Sequence, residues 1–221
     1  SAALEALLSP DGHWRDVLAF TWHYTTLGGA SEISRAMATA IPRAGGMGFE
    51  LNVARTPPRL VRRAGATLIE AIFRFETTEG RGSGVLRLVP HSADEGRYVA
   101  WTVLTALDEL KGWEDKVGER RPRGDSYSRN FGGDNWQDLR DADRAYDDHD
   151  PTVIVVGGGQ AGLAIAARLR QLDVDTLIVE RHERIGDNWR KRYHSLTLHN
   201  EVHVNHLPYM PFPETWPAFI P

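Results

Sequence analysis

The chain contains no cysteine. Disulfides, thiol nucleophiles and thiolate metal sites are thereby excluded, and a cytoplasmic location is the expectation. No apolar run approaches membrane-spanning length, and no basic segment followed by an apolar one opens the sequence, so no membrane partner is expected. Cationic excess is lacking too. Lys and Arg number 26 against 30 Asp and Glu, a net charge of −4, which gives no general attraction to nucleic acid or to an anionic surface. The first residue is Ser1 rather than Met, from which N-terminal processing or trimming is expected. What remains is ordinary globular material: 221 residues, 41% hydrophobic and 25% charged, enough for one large domain or two small ones.

The most informative stretch is Pro151-Thr-Val-Ile-Val-Val-Gly157-Gly158-Gly159-Gln160-Ala161-Gly162-Leu163-Ala164. Val153, Ile154, Val155 and Val156 read as a short buried strand, and the residues from Leu163 to Leu172 as the helix after it. Gly157, Gly159 and Gly162 fit G-x-G-x-x-G: the first for a tight turn, the second for close approach of a pyrophosphate, the third for helix–strand packing. The helix N-terminus offers free N–H groups and partial positive charge to phosphates. A second apolar run ends in Glu180, placed to accept the hydrogen bonds of a ribose diol. These parts in register point to a dinucleotide site, either FAD or NAD. No Lys follows Gly162, which excludes a P-loop.

The first half has a different pattern. Residues 2–8 read as a short helix stopped by Ser9-Pro-Asp-Gly12. Trp14, Val17, Leu18 and Trp22 share a helical face, predicting a second helix over residues 13–22. Ser31 is expected to cap a third, carrying Ile33, Met37 and Ile41. From Phe49 onward the period becomes two, with Ile69, Ala71, Phe73 and Phe75 alternating against Glu70, Arg74 and Glu76. The expectation is three helices followed by a curved antiparallel sheet, an α+β architecture. With Trp14-Arg15-Asp16 and the break at Gly28-Gly29, residues 2–118 resemble the SnoaL-like cone fold, whose superfamily includes nuclear transport factor two and ketosteroid isomerases. The resemblance implies an apolar pocket, with Trp14, Trp22, Phe73, Tyr98 and Trp101 as candidates to line it or simply to form core, and a homodimer through this half as one arrangement. His13 and Asp16 are a candidate acid–base pair, against a surface or salt-bridged Asp16 on a helix. Residues 123–150 read as an acidic linker between a domain over 1–122 and one over 151–221, with a polar helix from Asn135 to Tyr146 whose Trp136, Leu139 and Tyr146 dock on a neighbour.

Beyond Glu180 stand Arg181, Gly186-Asp-Asn-Trp189-Arg190, Tyr193-His-Ser-Leu-Thr-Leu-His199 and Leu207-Pro-Tyr-Met-Pro-Phe-Pro213. From Pro151 to Pro221 the chain resembles flavin-containing monooxygenases, particularly the YUCCA-type enzymes and their bacterial and fungal relatives. The resemblance implies FAD at the first glycine site of a Rossmann-type domain. Gly157, Gly158, Gly159, Gln160, Ala161 and Gly162 would form the turn, Glu180 would hold the adenosine ribose, and Trp189 would run beside the cofactor. Arg181 and Arg190 would reach pyrophosphate or adenosine oxygens, or else be surface arginines. His199 falls near the flavin ring in the family pattern. The implied activity is NAD(P)H-dependent oxygenation of a small organic substrate by molecular oxygen through a flavin hydroperoxide. The NADPH unit is expected beyond Pro221, so the FAD-binding domain is expected to be incomplete and the chain inactive alone. The alternatives are a SnoaL-like ligand-binding or dimerisation module with a non-functional flavin remnant, and an NAD-linked dehydrogenase. His199, His203, His194 and His206 do not make a zinc motif, since Glu201 is one place too late for His-Glu-x-x-His.

Overall fold

The structure, a computed structural model, describes residues 2–94, 96–121, 132–192 and 194–220. The start of the expected linker, at 123–131, and Tyr193 of the Tyr-x-x-Leu-x-Leu-His stretch lie outside the described residues. The chain divides into two compact units, Ser1–Glu114 and Asp115–Pro221. No helix among the described residues is long and apolar enough to cross a membrane.

The first unit opens with one helical turn, α1 (Ala2–Glu5), then strands β1 (Leu8–Val17) and β2 (Tyr24–Gly28) and helix α2 (Ala30–Arg43). Strands β3 (Met47–Leu51), β4 (Arg59–Arg63), β5 (Ala66–Glu76), β6 (Gly80–Pro90) and β7 (Tyr98–Leu110) follow. Among the described residues they form a seven-stranded sheet in the order β2-β1-β7-β6-β5-β3, with β4 also paired to β5. Strand β1 runs parallel to β7, so the sheet is mixed rather than antiparallel throughout.

The three helices predicted by the pattern are two. Residues 13–22 form the end of β1 and the turn into β2, because Leu18 and Trp22 adopt φ of 64° and 59°, a left-handed backbone that a helix does not contain. Along β1 the burial has period two: Gly12, Trp14 and Asp16 face inward, while His13 and Arg15 are exposed. The expected Ser9-Pro-Asp-Gly12 turn is instead a bulge in β1, where the register to β7 shifts between Leu8 and His13. Gly29, at φ 85°, precedes α2, and Ser31 lies inside the first turn rather than capping it. Helix α2 lays Ile33, Met37 and Ala40 onto the sheet, where Trp14, Phe20 and Phe75 complete the core. Full burial of side chains of this size contributes about 1.5–3 kcal/mol each.

Strand β5 is buried on both faces at its centre. Glu70 points away from the Ala71 and Phe75 face, yet its side chain is only 10% exposed. Its cross-strand neighbours are Arg59 on β4 and Arg87 on β6. Arg59 Nη2 donates to Oε1 at 3.0 Å and Arg87 Nε to Oε2 at 2.9 Å, with Arg63 Nε 3.9 Å away. The expected solvent-facing glutamate thus accepts hydrogen bonds from two arginines in a row of three, the third being an ion-pair neighbour.

The second unit begins with a polar helix, α3 (Trp136–Ala145), capped by Asn135, whose side chain accepts from the N–H groups of Gln137 and Asp138 while Asp138 accepts from the Asn135 N–H. The sequence pattern predicts this helix, but Trp136 and Leu139 are exposed rather than docked; only Tyr146 engages, donating its hydroxyl to Asp175 at 2.9 Å. Strand β8 (Val153–Val156), helix α4 (Gln160–Gln171) and strand β9 (Thr176–Val179) form a β-α-β unit with parallel pairing from Val153↔Thr176 to Val156↔Val179. A short helix, α5 (Asp187–Arg190), follows.

The arginine row generates a pH-dependent expectation. Hydrogen bonds from Arg59 and then Arg87 hold the Glu70 carboxyl below its ordinary range. Its stabilisation is therefore complete above the unfolded-state value of about 4.3 and is lost as pH falls through the lower folded value. Replacing Glu70 by Gln is expected to destabilise the chain by roughly 1–2 kcal/mol at pH 7. Thermal melts of both proteins from pH 7 to pH 2.5 check this: the gap should narrow at the acid end, and a gap constant with pH would contradict it.

Candidate functional site

In the second unit the glycine turn leaves β8 at Gly157, whose φ of 103° favours glycine and whose N–H donates to Val179 O at 2.8 Å. A Cβ on residue 162 would lie 1.9 Å from the Gly157 carbonyl oxygen, so only glycine lets the first turn of α4 lie against the loop. At Gly159, which precedes α4, a Cβ would meet only Asn188 Nδ2 at 3.4 Å, leaving the backbone open on that side. Gln160 and Ala161 open α4, and its first intrahelical bond runs from Leu163 N–H to Gly159 O at 2.9 Å. The N–H groups before it have no intrahelical partner and carry the positive end of the helix dipole.

Glu180 closes the turn from the end of β9. Gly158 N–H donates to its Oε2 at 2.6 Å and His182 N–H to its Oε1 at 2.9 Å. These backbone donors, His182 first and then Gly158, push the carboxyl below its ordinary range. Each oxygen keeps a lone pair for a further donor, as a diol-binding carboxylate requires.

A cavity of about 410 Å³ opens beside this turn. Gly158, Gly159, Gln160 and Leu163 form one side, Gly186, Asn188 and Trp189 another, and Leu198, Asn200, Asn205, Leu207 and Phe212 the remainder. Its polar lining side chains are neutral amides. Two arginines expected from the sequence stand elsewhere. Arg190 Nη1 donates to Ile185 O at 2.9 Å and to Asp187 Oδ1 at 3.0 Å, and the residue lines a neighbouring hollow of about 600 Å³ with His194. Asp187 is buried beneath Lys191, Arg190 and Arg184, and Lys191 foremost holds its carboxyl below the ordinary range. Arg181 is exposed. His199 is exposed as well, while its neighbours Leu198 and Asn200 line the cavity. Trp189 and Leu198 face both hollows. The three asparagines escaped the sequence reading because nothing in their spacing shows that they converge.

The first unit holds a cavity of its own, about 580 Å³, walled chiefly by leucine and phenylalanine side chains including Leu8, Leu86, Leu88, Phe20, Phe49 and Phe73. Of the aromatics expected there, Phe73 and Tyr98 line it. Trp14 is fully buried in the core, Trp22 is largely exposed and Trp101 lies outside the lining. His13 and Asp16 are not an acid–base pair: they are three apart on a strand and face opposite sides. Nor is Asp16 on a helix surface or in a salt bridge. It is fully buried, with Oδ1 accepting from Thr105 Oγ1 at 2.6 Å and Oδ2 from Phe20 N–H, Thr21 N–H and Thr21 Oγ1 at 3.0, 2.9 and 2.7 Å. Trp14 Nε1 donates to the same Thr105 hydroxyl at 3.0 Å. With both oxygens engaged, this carboxylate ties β1 to β7 and to the turn before β2. Asp16→Ala is expected to lose roughly 3 kcal/mol or more of stability, since buried donors are left unmade. Chemical denaturation checks it; an unchanged midpoint would show the network to be dispensable.

Known proteins resemble parts of this chain. Residues 155–213 match the family described as NAD(P)-binding Rossmann-like domain. A 70-residue stretch is 43% identical to the probable indole-3-pyruvate monooxygenase YUCCA4 of Arabidopsis thaliana, covering 31% of this chain and 17% of that protein. Over 62 residues, 28% of this chain and 18% of the relative, it is 44% identical to the uncharacterized oxidoreductase CzcO-like of Geobacillus kaustophilus. The chain thus spans less than a fifth of the length of the curated relatives it matches. Among solved structures, nuclear transport factor 2 from Cryptosporidium parvum is 16% identical, with a TM-score of 0.32 over 48% of this chain and 77% of that one. The relatives of the glycine-rich segment are thus a monooxygenase and an oxidoreductase over a partial region, and that segment is similar to the NAD(P)-binding Rossmann-like domain.

Proposed function

We propose that residues 151–221 are the FAD-binding start of an NAD(P)H-dependent flavoprotein monooxygenase acting on a small organic substrate and molecular oxygen. The observation that carries this is the turn at residues 157–162. Its third glycine admits no side chain, its second leaves the backbone open, and its neighbouring carboxylate is held ionised beside Gly158. These residues fit the adenosine diphosphate half of a dinucleotide. Glu180 would accept the ribose hydroxyls, and the N–H groups of Gly159 and Gln160 at the start of α4 would face the diphosphate. The neutral amides of Asn188 and Asn200 offer donors without a fixed charge, while Asn205 Nδ2 is spent on the Asn200 and Glu201 carbonyls at 3.1 and 3.0 Å, and Leu163, Trp189, Leu207 and Phe212 would exclude water. When bound, the flavin would supply the redox chemistry, taking hydride from the nicotinamide and passing electrons to oxygen. The resemblance of residues 186–190 and 207–213 to flavin-containing monooxygenases supports FAD over NAD at this turn, a choice that Glu180 leaves open by itself.

A second reading attaches to the first unit: its apolar cavity of about 580 Å³ binds a small hydrophobic molecule without acting on it. The favouring observation is that two polar groups of the cavity wall are already engaged: Thr105 spends its hydroxyl on Asp16 and Trp14, and Glu50 accepts from Arg74 Nε at 2.7 Å.

Titration with FAD, followed by flavin fluorescence, tests the first reading. Wild-type chain should bind, Glu180→Gln should weaken binding roughly tenfold through loss of a charged acceptor, and Gly162→Ala should abolish it. Tighter binding of NAD than of FAD would replace the flavin reading with a nicotinamide one. For the cavity, saturable binding of a hydrophobic fluorescent probe should vanish in Leu86→Trp while FAD binding stays; probe binding unaffected by that filling substitution would end the second reading.

A further inference from the structure

The turn at residues 207–210 has an uncommon backbone. Leu207 and Met210 bridge each other, with Met210 N–H donating to Leu207 O at 3.1 Å, and Tyr209 between them sits at φ 61°. A bulky residue in this left-handed region persists only where its surroundings over-determine it. Three contacts do so. The Tyr209 hydroxyl donates to Asp115 Oδ2 at 2.7 Å and accepts from Arg168 Nη1 at 3.1 Å, and the Arg168 guanidinium carbon lies 5.0 Å from the ring centroid. Arg168 Nη1 also donates to Asp115 Oδ2 at 2.8 Å, so the three side chains close on one another. Burial, and then the Asp115 hydrogen bond, raise the Tyr209 phenol above its ordinary range, so it stays protonated as the donor near neutral pH.

The turn stands at the cavity. Leu207 before it and Phe212 after it both line the hollow beside Gly158, and Phe212 is itself held by His206, whose Nδ1 accepts its N–H at 2.9 Å, and by Trp216, whose ring centre is 5.0 Å away. Arg168 belongs to α4, the helix whose N-terminus faces that hollow. Asp115 comes from far upstream, outside the matched residues 155–213. Its neighbour Lys116 pairs with Asp173, just past the C-terminal end of α4.

We infer that Asp115, Arg168 and Tyr209 form a clamp that positions residues 207–212 as the outer wall of the dinucleotide cavity, making Asp115 a positioning residue recruited from outside the Rossmann segment. The clamp acts by fixing the Tyr209 ring: with its hydroxyl and face both held, Leu207 and Phe212 are presented to the cavity together. This rests on the dinucleotide reading for its consequence, but the geometry of the wall is measurable without any ligand.

The test uses the full chain with Asp115→Ala, Tyr209→Phe and Asp115→Asn, the last keeping an oxygen acceptor for the tyrosine hydroxyl. FAD affinity from fluorescence titration should fall roughly five- to tenfold in Asp115→Ala and Tyr209→Phe, the size expected for one charge-assisted hydrogen bond, and by less in Asp115→Asn, which keeps a neutral acceptor but not the Arg168 ion pair. Unchanged affinity in Asp115→Ala and Tyr209→Phe overturns the clamp. Amide hydrogen exchange at Met210 and Phe212 is measured in parallel without ligand. If wild-type chain takes up no FAD, the flavin reading fails and exchange alone decides the clamp: faster exchange at both amides in Asp115→Ala upholds it, and unchanged exchange overturns it.

Discussion

The second unit depends on one close approach. Helix α4 starts so near the end of β8 that the Gly157 carbonyl occupies the place where residue 162 would carry a Cβ. Because no side chain intervenes, the helix N-terminus lies directly against the loop, and the loop can turn back at Gly157 in a conformation that favours glycine. The end of β9 is then close enough for Glu180 to accept the Gly158 N–H. Strand end, helix start and carboxylate converge on one small region because two backbone segments touch there. The hollow beside it follows from the same contact.

The first unit depends on a different device, a buried carboxylate with both oxygens hydrogen-bonded. Asp16 collects donors from the turn at Phe20 and Thr21 and from Thr105, a residue 89 positions away in sequence. An unpaired buried carboxylate would be strongly unfavourable, so the donors must be in place for the sheet to form around it. That requirement joins β1 to β7 in parallel and bends the chain sharply after Val17. It also explains why the helical spacing of Trp14, Val17, Leu18 and Trp22 misleads: the hydrogen bonds to Asp16 set the local backbone, and they outweigh the apolar periodicity.

Much of what concerns a few neighbouring residues was legible in the chain itself. The glycine turn, the polar helix capped by Asn135 and strands over residues 153–156, 176–179 and 66–76 stand where the pattern places them, although Ile154 and Val156 of the expected buried strand are exposed and β3 ends at Leu51 with Val53 outside it. Each rests on sterics or hydrogen bonds spanning a handful of positions, and such terms are written into adjacent residues. Side chains whose surroundings come from distant elements were not legible. Glu70 reads as a solvent-facing member of an alternating strand, yet arginines on both flanking strands enclose it. Arg190 reads as a phosphate partner or a surface arginine, and nothing local shows that Asp187 and the Ile185 carbonyl engage it.

The amino-acid order thus determined a G-x-G-x-x-G turn between a short apolar strand and a helix, since each rests on adjacent residues. Folding decided what surrounds that turn. Asn188, Asn200 and Asn205, the wall made by Leu207 and Phe212, and the reach of Asp115 to Tyr209 are brought together across long sequence separations. Such groups carry no common local signature; they meet because hydrogen bonds and apolar burial elsewhere leave the chain only this way to close.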